Sequence, residues 1–314
     1  MDVLSVSVVV PVYNQADLIG RTIAAVCENV YRPQEIIVVN DGSTDNIHES
    51  IGQALSSLGS PNVRVLDVPH GGPGLARDAG WRAAQGDVVA FTDADAIPDK
   101  EWIGAAIARF ASERIGAVEG KVIAAGVPKA FTHQVKNLGG GRFMTANMFY
   151  RRSVIAEVGG FKSRYREDSD LAFSVLEKGY DIVFEPESVV SHPPREEHWN
   201  FYFKKANRKR FEALLFRNHP RTAPQYLPRF QPTELLVIGG ELLCILTVVL
   251  GLWSLVAGLI LLLLGLPKRI AARLDGRVYS GRDYLAIWLL TLVLVPVEAY
   301  YHWTGILKPP TLNK

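Results

Sequence analysis

The sequence predicts an α/β fold, a mostly parallel sheet flanked by helices, followed by apolar C-terminal helices long enough to cross a membrane. Two observations predict this architecture. Over the first hundred residues, short apolar runs alternate with segments whose apolar residues recur at helical spacing, which is the pattern of βαβ units. Near the C-terminus, two apolar runs each exceed the roughly 20 residues that a bilayer crossing requires.

Four apolar runs are predicted strands: "SVSVVV" (5–10), "EIIVVNDGSTD" (35–45, polar at its end), "NVRVLDV" (62–68) and "GDVVAFTDAD" (86–95). The segments between them are predicted helices: "ADLIGRTIAAVCENV", "NIHESIGQALSSL" and "PGLARDAGWRAAQG". Ligands of parallel α/β sheets bind at the carboxyl ends of the strands. Because Asn40, Asp41, Asp93 and Asp95 all fall at such ends, they are the first indication of a functional site.

The pattern becomes mixed between residues 117 and 191. "DLAFSVLEKGY" is a predicted helix that ends at Gly179, a residue type favoured just after a helix C-cap. "DIVFEP" and "SVVSH" are each predicted to be a strand.

Three regions are expected along the chain: an α/β domain over 1–200, a basic amphipathic interfacial segment over 201–232, and a transmembrane region over 233–314. Within the last, 233–267 is expected to form a helical hairpin and 284–307 a spanning helix. The basic segment carries eight Lys or Arg residues against one acid between 202 and 230, which is typical of a membrane surface. A solvated linker helix, and long buried core helices for the apolar runs, are the alternatives.

Composition excludes several classes of protein. The 34 Lys and Arg residues nearly balance the 32 Asp and Glu residues, so a nucleic-acid partner is not expected. Cys27 and Cys244 lie far apart, which argues against a disulfide framework or a metal cluster and fits a reducing compartment. No basic segment precedes the first apolar run, so a cleaved signal peptide is not expected.

The stretch "VVAFTDADAIPD" (88–99) places two carboxylates, Asp93 and Asp95, at the end of an apolar run. On a strand, residues two apart point to the same side, so both side chains would reach one ligand. A divalent cation between them and a bound diphosphate would relieve their repulsion, because Mg²⁺ and Mn²⁺ prefer carboxylate and phosphate oxygens. The same spacing also occurs in exposed turns that bind no metal.

Neighbouring segments supply further polar groups. Asp41 is placed to hydrogen-bond a ribose or a base edge. The Gly-rich "GGPGLARDAG" has Arg77 near a helix start, which suits an anionic diphosphate. A local ion pair with Asp78 is the alternative for Arg77.

Together these segments resemble the inverting GT-A glycosyltransferases of family 2, in the family's order and over residues 5–195. The resemblance rests on "VVVPVYNQADLIGRTI", "EIIVVNDGSTD", "GLARDAG", "AFTDADAIPD" and "REDSDLAFSVLEKGY". It implies a GT-A fold, a nucleotide-diphospho-sugar donor (UDP-, GDP- or dTDP-sugar) and a divalent metal, Mg²⁺ or Mn²⁺.

The resemblance also implies roles for individual residues. Those expected to bind the donor are Pro11, Tyr13, Asn14, Asp41, Arg77 and Asp93. Those expected to bind the metal are Asp93, Asp95 and His192, although His192 is equally consistent with a surface loop. Asp168 matches the general base, and Glu167 is expected to contact the acceptor or support its loop.

Inverting transfer needs one carboxylate to take the proton of the acceptor hydroxyl while the metal stabilises the leaving diphosphate. Asp168 is preferred for this role over Asp170, whose place near the helix start suits a cap or dipole partner. The stretch 139–152 is expected to floor the acceptor site. Asp78 stands where the family usually has Asn, a change that is expected to affect donor binding.

The expected function is the transfer of a single sugar to a lipid-linked or cell-surface glycan acceptor. Single transfer is expected because "NFYFKKANRKRF", after the base, does not match the Q-x-x-R-W signature of processive members. A polyprenyl-phosphate sugar synthase and a catalytically silent subunit of a polysaccharide-synthesis complex are the alternatives.

Charge predicts the topology. Cationic residues flank the first apolar run on both sides, so both of its ends are expected in the cytosol, with a turn near 251–254. The final run would then make one further crossing. The lipid bilayer is thus an expected partner, with the catalytic domain on the cytosolic face of the inner (plasma) membrane.

Overall fold

The computed structural model describes residues 4–59, 62–127, 129, 131–163, 166–196, 200–227, 232–246, 252–275 and 277–308. They form two compact units. The first unit comprises the described residues of 1–125 and 134–193, and the second comprises those of 126–133 and 194–310.

The first unit contains one mixed sheet with helices against it. Its strands are β1 (Val6–Val12), β2 (Glu35–Asn40), β3 (Val63–Asp67), β4 (Val88–Phe91), β5 (Ile97–Pro98), β6 (Ile115–Ala124), β8 (Met148–Arg151) and β9 (Asp181–His192). Its helices are α1 (Ala16–Cys27), α2 (Ile47–Ser57), α3 (Pro73–Ala83), α4 (Trp102–Ile107), α5 (Arg152–Val158) and α6 (Glu167–Glu177). The strand order is β3-β2-β1-β4-β8-β6-β9-β5. Strands β3, β2, β1 and β4 are parallel, whereas β8 is antiparallel to both of its neighbours. The predicted α/β class is confirmed.

Strand β1 extends two residues beyond its predicted end, through Pro11 to Val12. Backbone bonds alternate along it: Val12 O accepts from Asp41 N on the β2 side, and Val9 O accepts from Thr92 N on the β4 side. Pro11 therefore faces the β4 side, where β4 has already ended. The N–H that proline lacks consequently costs no bond of the ladder.

Strand β4 is shorter than predicted and ends at Phe91, before either aspartate. Asp93 and Asp95 lie in a turn in which Asp93 O accepts from Ala96 N at 3.1 Å. The turn is fixed from α1, because Thr22 Oγ1 donates to the carbonyl oxygens of Ala94 and Ala96. Strand alternation therefore does not align the two carboxylates. The turn does.

The C-terminal part of this unit also differs from expectation. The two predicted strands at 181–192 are one strand, β9, whose register against β6 shifts between Gly120 and Lys121. The unpaired residues of β9 at this shift form a bulge. The bulge interrupts the apolar pattern of the sequence, which is why two strands were predicted. Helix α6 begins at Glu167 and is followed by Gly179 with φ 89°, which confirms the predicted glycine stop.

The second unit is mainly helical. It contains α7 (Asn200–Asn207), α8 (Lys209–Asn218), α9 (Ala223–Tyr226), α10 (Pro232–Ile245), α11 (Leu252–Leu274) and α12 (Gly281–Leu307), with a short antiparallel pair of β7 (Thr132–His133) and β10 (Arg195–Glu196). Helices α10 and α11 pack closely at Gly240, where the absence of a side chain allows the approach. A Cβ there would lie 2.8 Å from Gly258 O. Residues 247–251, which include part of the predicted hairpin turn, lie outside the described residues.

Two segments, Trp253–Leu274 and Gly281–Leu307, are long and apolar enough to cross a membrane by length and composition. Of the most apolar 18-residue stretch of each, 22% is buried, which is little for the core helix of a soluble protein. The expected domain boundaries, the hairpin and the spanning helix stay predictions.

Candidate active site

The Tyr13–Asn14 turn and the loop after β2 are bonded together at the carboxyl edge of the sheet. Asn14 has a left-handed backbone (φ 51°), and its Oδ1 accepts from Thr44 N at 2.8 Å. Its own N–H donates to Ser43 Oγ at 3.0 Å. The Asn14 side chain therefore holds the two loops together, while the Tyr13 ring stays exposed.

Asp41 is buried and organises the loop that leads into α3. Its Oδ1 accepts from Gly71 N at 2.7 Å and its Oδ2 from Gly72 N at 2.9 Å. Gly72 has φ 94°, a conformation that favours glycine. The carboxylate thus shapes the Gly-rich loop, and its predicted contact with a nucleoside stays a prediction.

His70 joins this edge, although the sequence reasoning did not single it out. Its ring stacks on Tyr13 with centroids 4.2 Å apart and planes inclined by 27°. Its Nδ1 lies 3.0 Å from the backbone oxygen and 3.0 Å from Oδ2 of Asp41. The only signal in the sequence is its place directly before the Gly-Gly pair, so the stack could be found only from the fold.

Arg77 is buried in α3 and joins two distant carboxylates. Its Nη1 donates to Glu167 Oε1 at 2.7 Å and its Nη2 to Asp93 Oδ1 at 2.8 Å. Burial alone would lower its pKa, but the charges of Asp93, Glu167 and Asp168 outweigh burial and raise the pKa. In the described part of the chain these are its partners, and the alternative pair with Asp78 does not form. The diphosphate contact stays a prediction.

The three acids at the start of α6 have different environments. Glu167 is buried, and burial together with the charge of Asp168 raises its pKa to about 7 against the opposing effect of Arg77. Asp168 is partly exposed, and its Oδ1 accepts from Ser169 N at 2.7 Å. Asp170, in the same first turn of α6, is buried. Of the three, Asp168 is the one open to a substrate.

Asp93, Asp95 and His192 form a group whose ligand atoms all lie within 4.8 Å of one another. His192 Nε2 is 3.3 Å from Asp95 Oδ1 and 3.6 Å from Asp93 Oδ2. His192 ends β9 and is 2% exposed, so it is not a surface-loop histidine. Its Nδ1 lies 3.0 Å from Pro193 O, an interaction that leaves Nε2 facing the carboxylates.

This donor set fits a divalent cation. The two carboxylates suit Mn²⁺ or Mg²⁺, and a cation would offset the charge of these two adjacent acids, while the imidazole offers one further nitrogen ligand. Burial would lower the pKa of His192, but the hydrogen bond to Asp93 and the charges of Asp95 and Asp93 raise it. The three predicted metal-binding residues are therefore brought together.

Asp78, the departure from the family pattern, holds the chain together around α3. It accepts hydrogen bonds from Trp81 Nε1 at 2.7 Å, Arg82 Nε at 2.7 Å and Phe161 N at 3.1 Å. The Asp78 carboxylate thus accepts hydrogen bonds from three residues around α3.

Glu119 was also missed from the sequence. It is buried in β6, and its carboxylate accepts from Gly141 N at 2.6 Å, Arg142 N at 2.9 Å, Phe143 N and the Asn137 amide. This one side chain therefore fixes much of the loop that was expected to floor the acceptor site. A lone acid within the apolar "AVEGKV" is the signal that could have revealed it.

Solved structures place this fold in the GT-A class of glycosyltransferases. The mannosyltransferase PcManGT from Pyrobaculum calidifontis, solved with GDP-Man and Mn²⁺, superposes with a TM-score of 0.69 at 20% identity, over 96% of this chain and 87% of that one. TarS 1–349 from S. aureus, solved with UDP-GlcNAc, gives a TM-score of 0.55 at 17% identity, over 96% and 91%.

The chain belongs to glycosyl transferase family 2, whose model matches residues 7–171. The protein is therefore a glycosyltransferase. It is 28% identical over 338 residues to the pre-mycofactocin glycosyltransferase of Mycobacterium tuberculosis (strain ATCC 25618 / H37Rv), across 98% of this chain and 67% of that relative. It is 43% identical over 98 residues, 30% of each chain, to the undecaprenyl-phosphate 4-deoxy-4-formamido-L-arabinose transferase of Pectobacterium carotovorum subsp. carotovorum.

Proposed function

We propose that the protein is an inverting, metal-dependent glycosyltransferase that moves a single sugar from a nucleotide-diphospho-sugar to a lipid-linked or cell-surface glycan acceptor. The observation that carries the proposal is the Arg77 bridge. It joins Asp93, in the metal-binding group, to Glu167, the neighbour of Asp168, through two hydrogen bonds. Groups for the leaving diphosphate and for the acceptor hydroxyl are thereby held in one cluster, as a single displacement requires.

Each acid has a separate task in the proposed reaction. Asp93, Asp95 and His192 hold the divalent cation, which when bound would offset the charge of the leaving diphosphate. Asp168 takes the proton of the acceptor hydroxyl while the acceptor oxygen bonds to the anomeric carbon. The bond from that carbon to the diphosphate oxygen breaks, and its electron pair leaves with the diphosphate. Glu167 supports the loop that carries Asp168.

The donor is proposed to be a UDP-, GDP- or dTDP-sugar whose nucleoside lies against Tyr13. Pro11, Asn14 and Asp41 surround this position, and Arg77 would face the diphosphate side. PcManGT and TarS, which were solved with GDP-Man and UDP-GlcNAc, support a nucleotide sugar as donor but do not identify its nucleobase.

A polyprenyl-phosphate sugar synthase is the second candidate. The relative from Pectobacterium carotovorum is named for an undecaprenyl-phosphate substrate, which favours a lipid phosphate as acceptor. A catalytically silent subunit is disfavoured because the described residues keep the metal-binding group together and the base accessible.

The proposed location is the cytosolic face of the inner (plasma) membrane. The exposed apolar helices of the second unit and the cations of α7 and α8 support contact with a bilayer.

The test is turnover of a panel of nucleotide sugars by the purified chain, with Mn²⁺, with Mg²⁺ and with excess chelator. Turnover is expected only with metal. Asp168→Asn should abolish turnover, by at least about a hundredfold, while donor binding measured by calorimetry persists. Asp170→Asn is the matched control and should retain turnover. Full activity of Asp168→Asn would refute its role, and transfer to polyprenyl phosphate as sole acceptor would favour the second candidate.

A further inference from the structure

We infer that helix α12 lies along one face of the membrane instead of crossing it, with both ends on the side of the catalytic unit and its exposed apolar stripe in a single leaflet. The inference rests on the proposed membrane association. It adds the mode of that association.

The beginning of α12 is tied to a short excursion from the first unit. Residues 126–133 belong to the second unit, but residues 125 and 134 on either side belong to the first. Arg277 Nη1 donates to the backbone oxygens of Thr132 and Lys129, the latter at 3.2 Å, and Lys129 pairs with Val278. Eight residues that leave and return can reach at most about 17 Å at their midpoint, against about 30 Å of hydrocarbon.

The excursion therefore cannot lie across a bilayer from the catalytic unit. Arg277 contacts it directly, and helix α12 begins at Gly281, only four residues after Arg277. The beginning of α12 is thus on the catalytic side.

The end of α12 is tied to the cationic helices. The backbone at Gly305 approaches α8 so closely that a Cβ there would be 2.6 Å from Arg210 Cα, and the His302 ring lies 6.3 Å from the Phe216 ring. Helix α8 follows α7, whose Tyr202 ring is 6.2 Å from Phe131 of the same excursion.

Helices α7 and α8 cannot be the element that crosses. Residues 200–227 carry seven Lys or Arg residues against one acid: Lys204, Lys205, Arg208, Lys209, Arg210, Arg217 and Arg221 against Glu212. Cations are strongly disfavoured at the bilayer centre. Both ends of α12 are therefore on one side, although its 27 residues, about 40 Å, would suffice to cross.

The faces of α12 agree with this position. Its buried residues include Ile287, Thr291, Leu294, His302 and Gly305, which repeat at helical spacing. The opposite stripe is apolar and 50–76% exposed along the whole helix: Leu285, Leu289, Val293, Tyr300, Trp303 and Leu307. One face of α12 thus packs on the protein, the opposite apolar and aromatic face is open to lipid, and the cations of the neighbouring α7 and α8 would attract an anionic bilayer surface.

Membrane sidedness tests the inference directly. Single cysteines are introduced at the exposed positions Arg282 and Lys308, at the two ends of α12, in a chain carrying Cys27→Ser and Cys244→Ser. Gln53→Cys in α2 reports the catalytic side. An impermeant maleimide should label all three positions in inside-out vesicles and none in intact cells. Labelling of Lys308→Cys from the face opposite to Gln53→Cys would overturn the inference.

Flotation of the purified chain with lipid vesicles tests whether lipid covers the exposed apolar stripe of α12. The chain should float with vesicles that contain phosphatidylglycerol, and less with phosphatidylcholine alone or at high salt. Leu285→Ser, Leu289→Ser and Trp303→Ser combined should lower partitioning at least tenfold, whereas Val30→Ser, an exposed apolar residue of the first unit, should not. Unchanged flotation of the triple variant, or a wild-type chain that self-associates through the stripe and does not float, would overturn the inference. Soluble-acceptor turnover is measured separately, so failure here leaves the proposed chemistry standing.

Discussion

Arg77 and Glu167 form a buried ion pair between residues 90 positions apart, with side chains only 7% and 10% exposed. The same guanidinium bonds Asp93 on its other side. One cation therefore pairs with carboxylates from two regions of the chain, and its removal would take from the buried Glu167 the counter-charge that Arg77 supplies.

Arg77→Met should lower the free energy of unfolding by about 3–5 kcal/mol at pH 8, the range for breaking a buried pair. The loss should be smaller near pH 5.5, because Glu167, with a pKa of about 7 even beside Arg77, is then protonated. Urea unfolding at the two pH values measures both effects.

Arg82→Met is the matched control on the same helix. Arg82 pairs with Asp78 at 2.7 Å, but its side chain is 57% exposed, so the loss should be below about 1 kcal/mol. Similar losses for the two variants at pH 8 would contradict the buried-pair account.

Glu167 itself should make stability depend on pH. Its pKa is about 7 in the folded protein because of burial and then the charge of Asp168, against about 4.3 when unfolded. Between these two pKa values the folded state therefore binds one more proton than the unfolded state. The stabilisation that this proton gives is complete below about pH 4.3 and is lost as the pH rises through about 7.

Glu167→Gln should remove this loss, which corresponds to roughly 3–4 kcal/mol. Urea midpoints of both proteins between about pH 5 and 8 should converge or cross as the wild type weakens. Glu28→Gln, an exposed acid of the first unit, should leave the pH profile unchanged. Parallel profiles for wild type and Glu167→Gln would show that Glu167 is ionised throughout.

The fold was predictable where local pattern decides it. Val-rich runs become β1 and β2, and Gly179 ends α6 with a positive φ, because these features depend on neighbouring residues. The predicted end of β4 was wrong because a residue distant in the sequence determines it. Strand β4 stops before Asp93 because Thr22, about 70 positions away, holds the turn.

The site was predictable by residue type but not by partner. Asp93, Asp95 and His192 come together as expected. Arg77 was expected to face a diphosphate, with a local pair to Asp78 as the alternative, and its pairing with the distant Glu167 was not foreseen. The His70 stack on Tyr13 leaves no periodic trace in the sequence, since aromatic contacts across loops depend on tertiary packing.

The group of Asp93, Asp95 and His192 should show measurable affinity for Mn²⁺. Asp95→Asn and His192→Ala should each weaken Mn²⁺ binding by at least about tenfold, because each removes one of three converging ligands. Titration followed by the electron paramagnetic resonance of free Mn²⁺ measures this without turnover.

Asp99→Asn provides the control for that titration. Asp99 is exposed and lies four residues beyond Asp95, and its Oδ1 accepts from Glu101 N, away from the group. It should bind Mn²⁺ as the wild type does. Equal affinity in Asp95→Asn and Asp99→Asn would place the cation elsewhere.

Asp78→Asn restores the residue usual in the family and separates packing from donor binding. The carboxylate accepts from Trp81 Nε1, Arg82 Nε and Phe161 N, and an amide offers only one oxygen for these donors. The variant should therefore lose about 1–2 kcal/mol of stability, while the KM for the donor changes less than about threefold. Thermal unfolding and donor kinetics distinguish the two effects. A large rise in KM with unchanged stability would instead place Asp78 at the donor, as the sequence comparison first suggested.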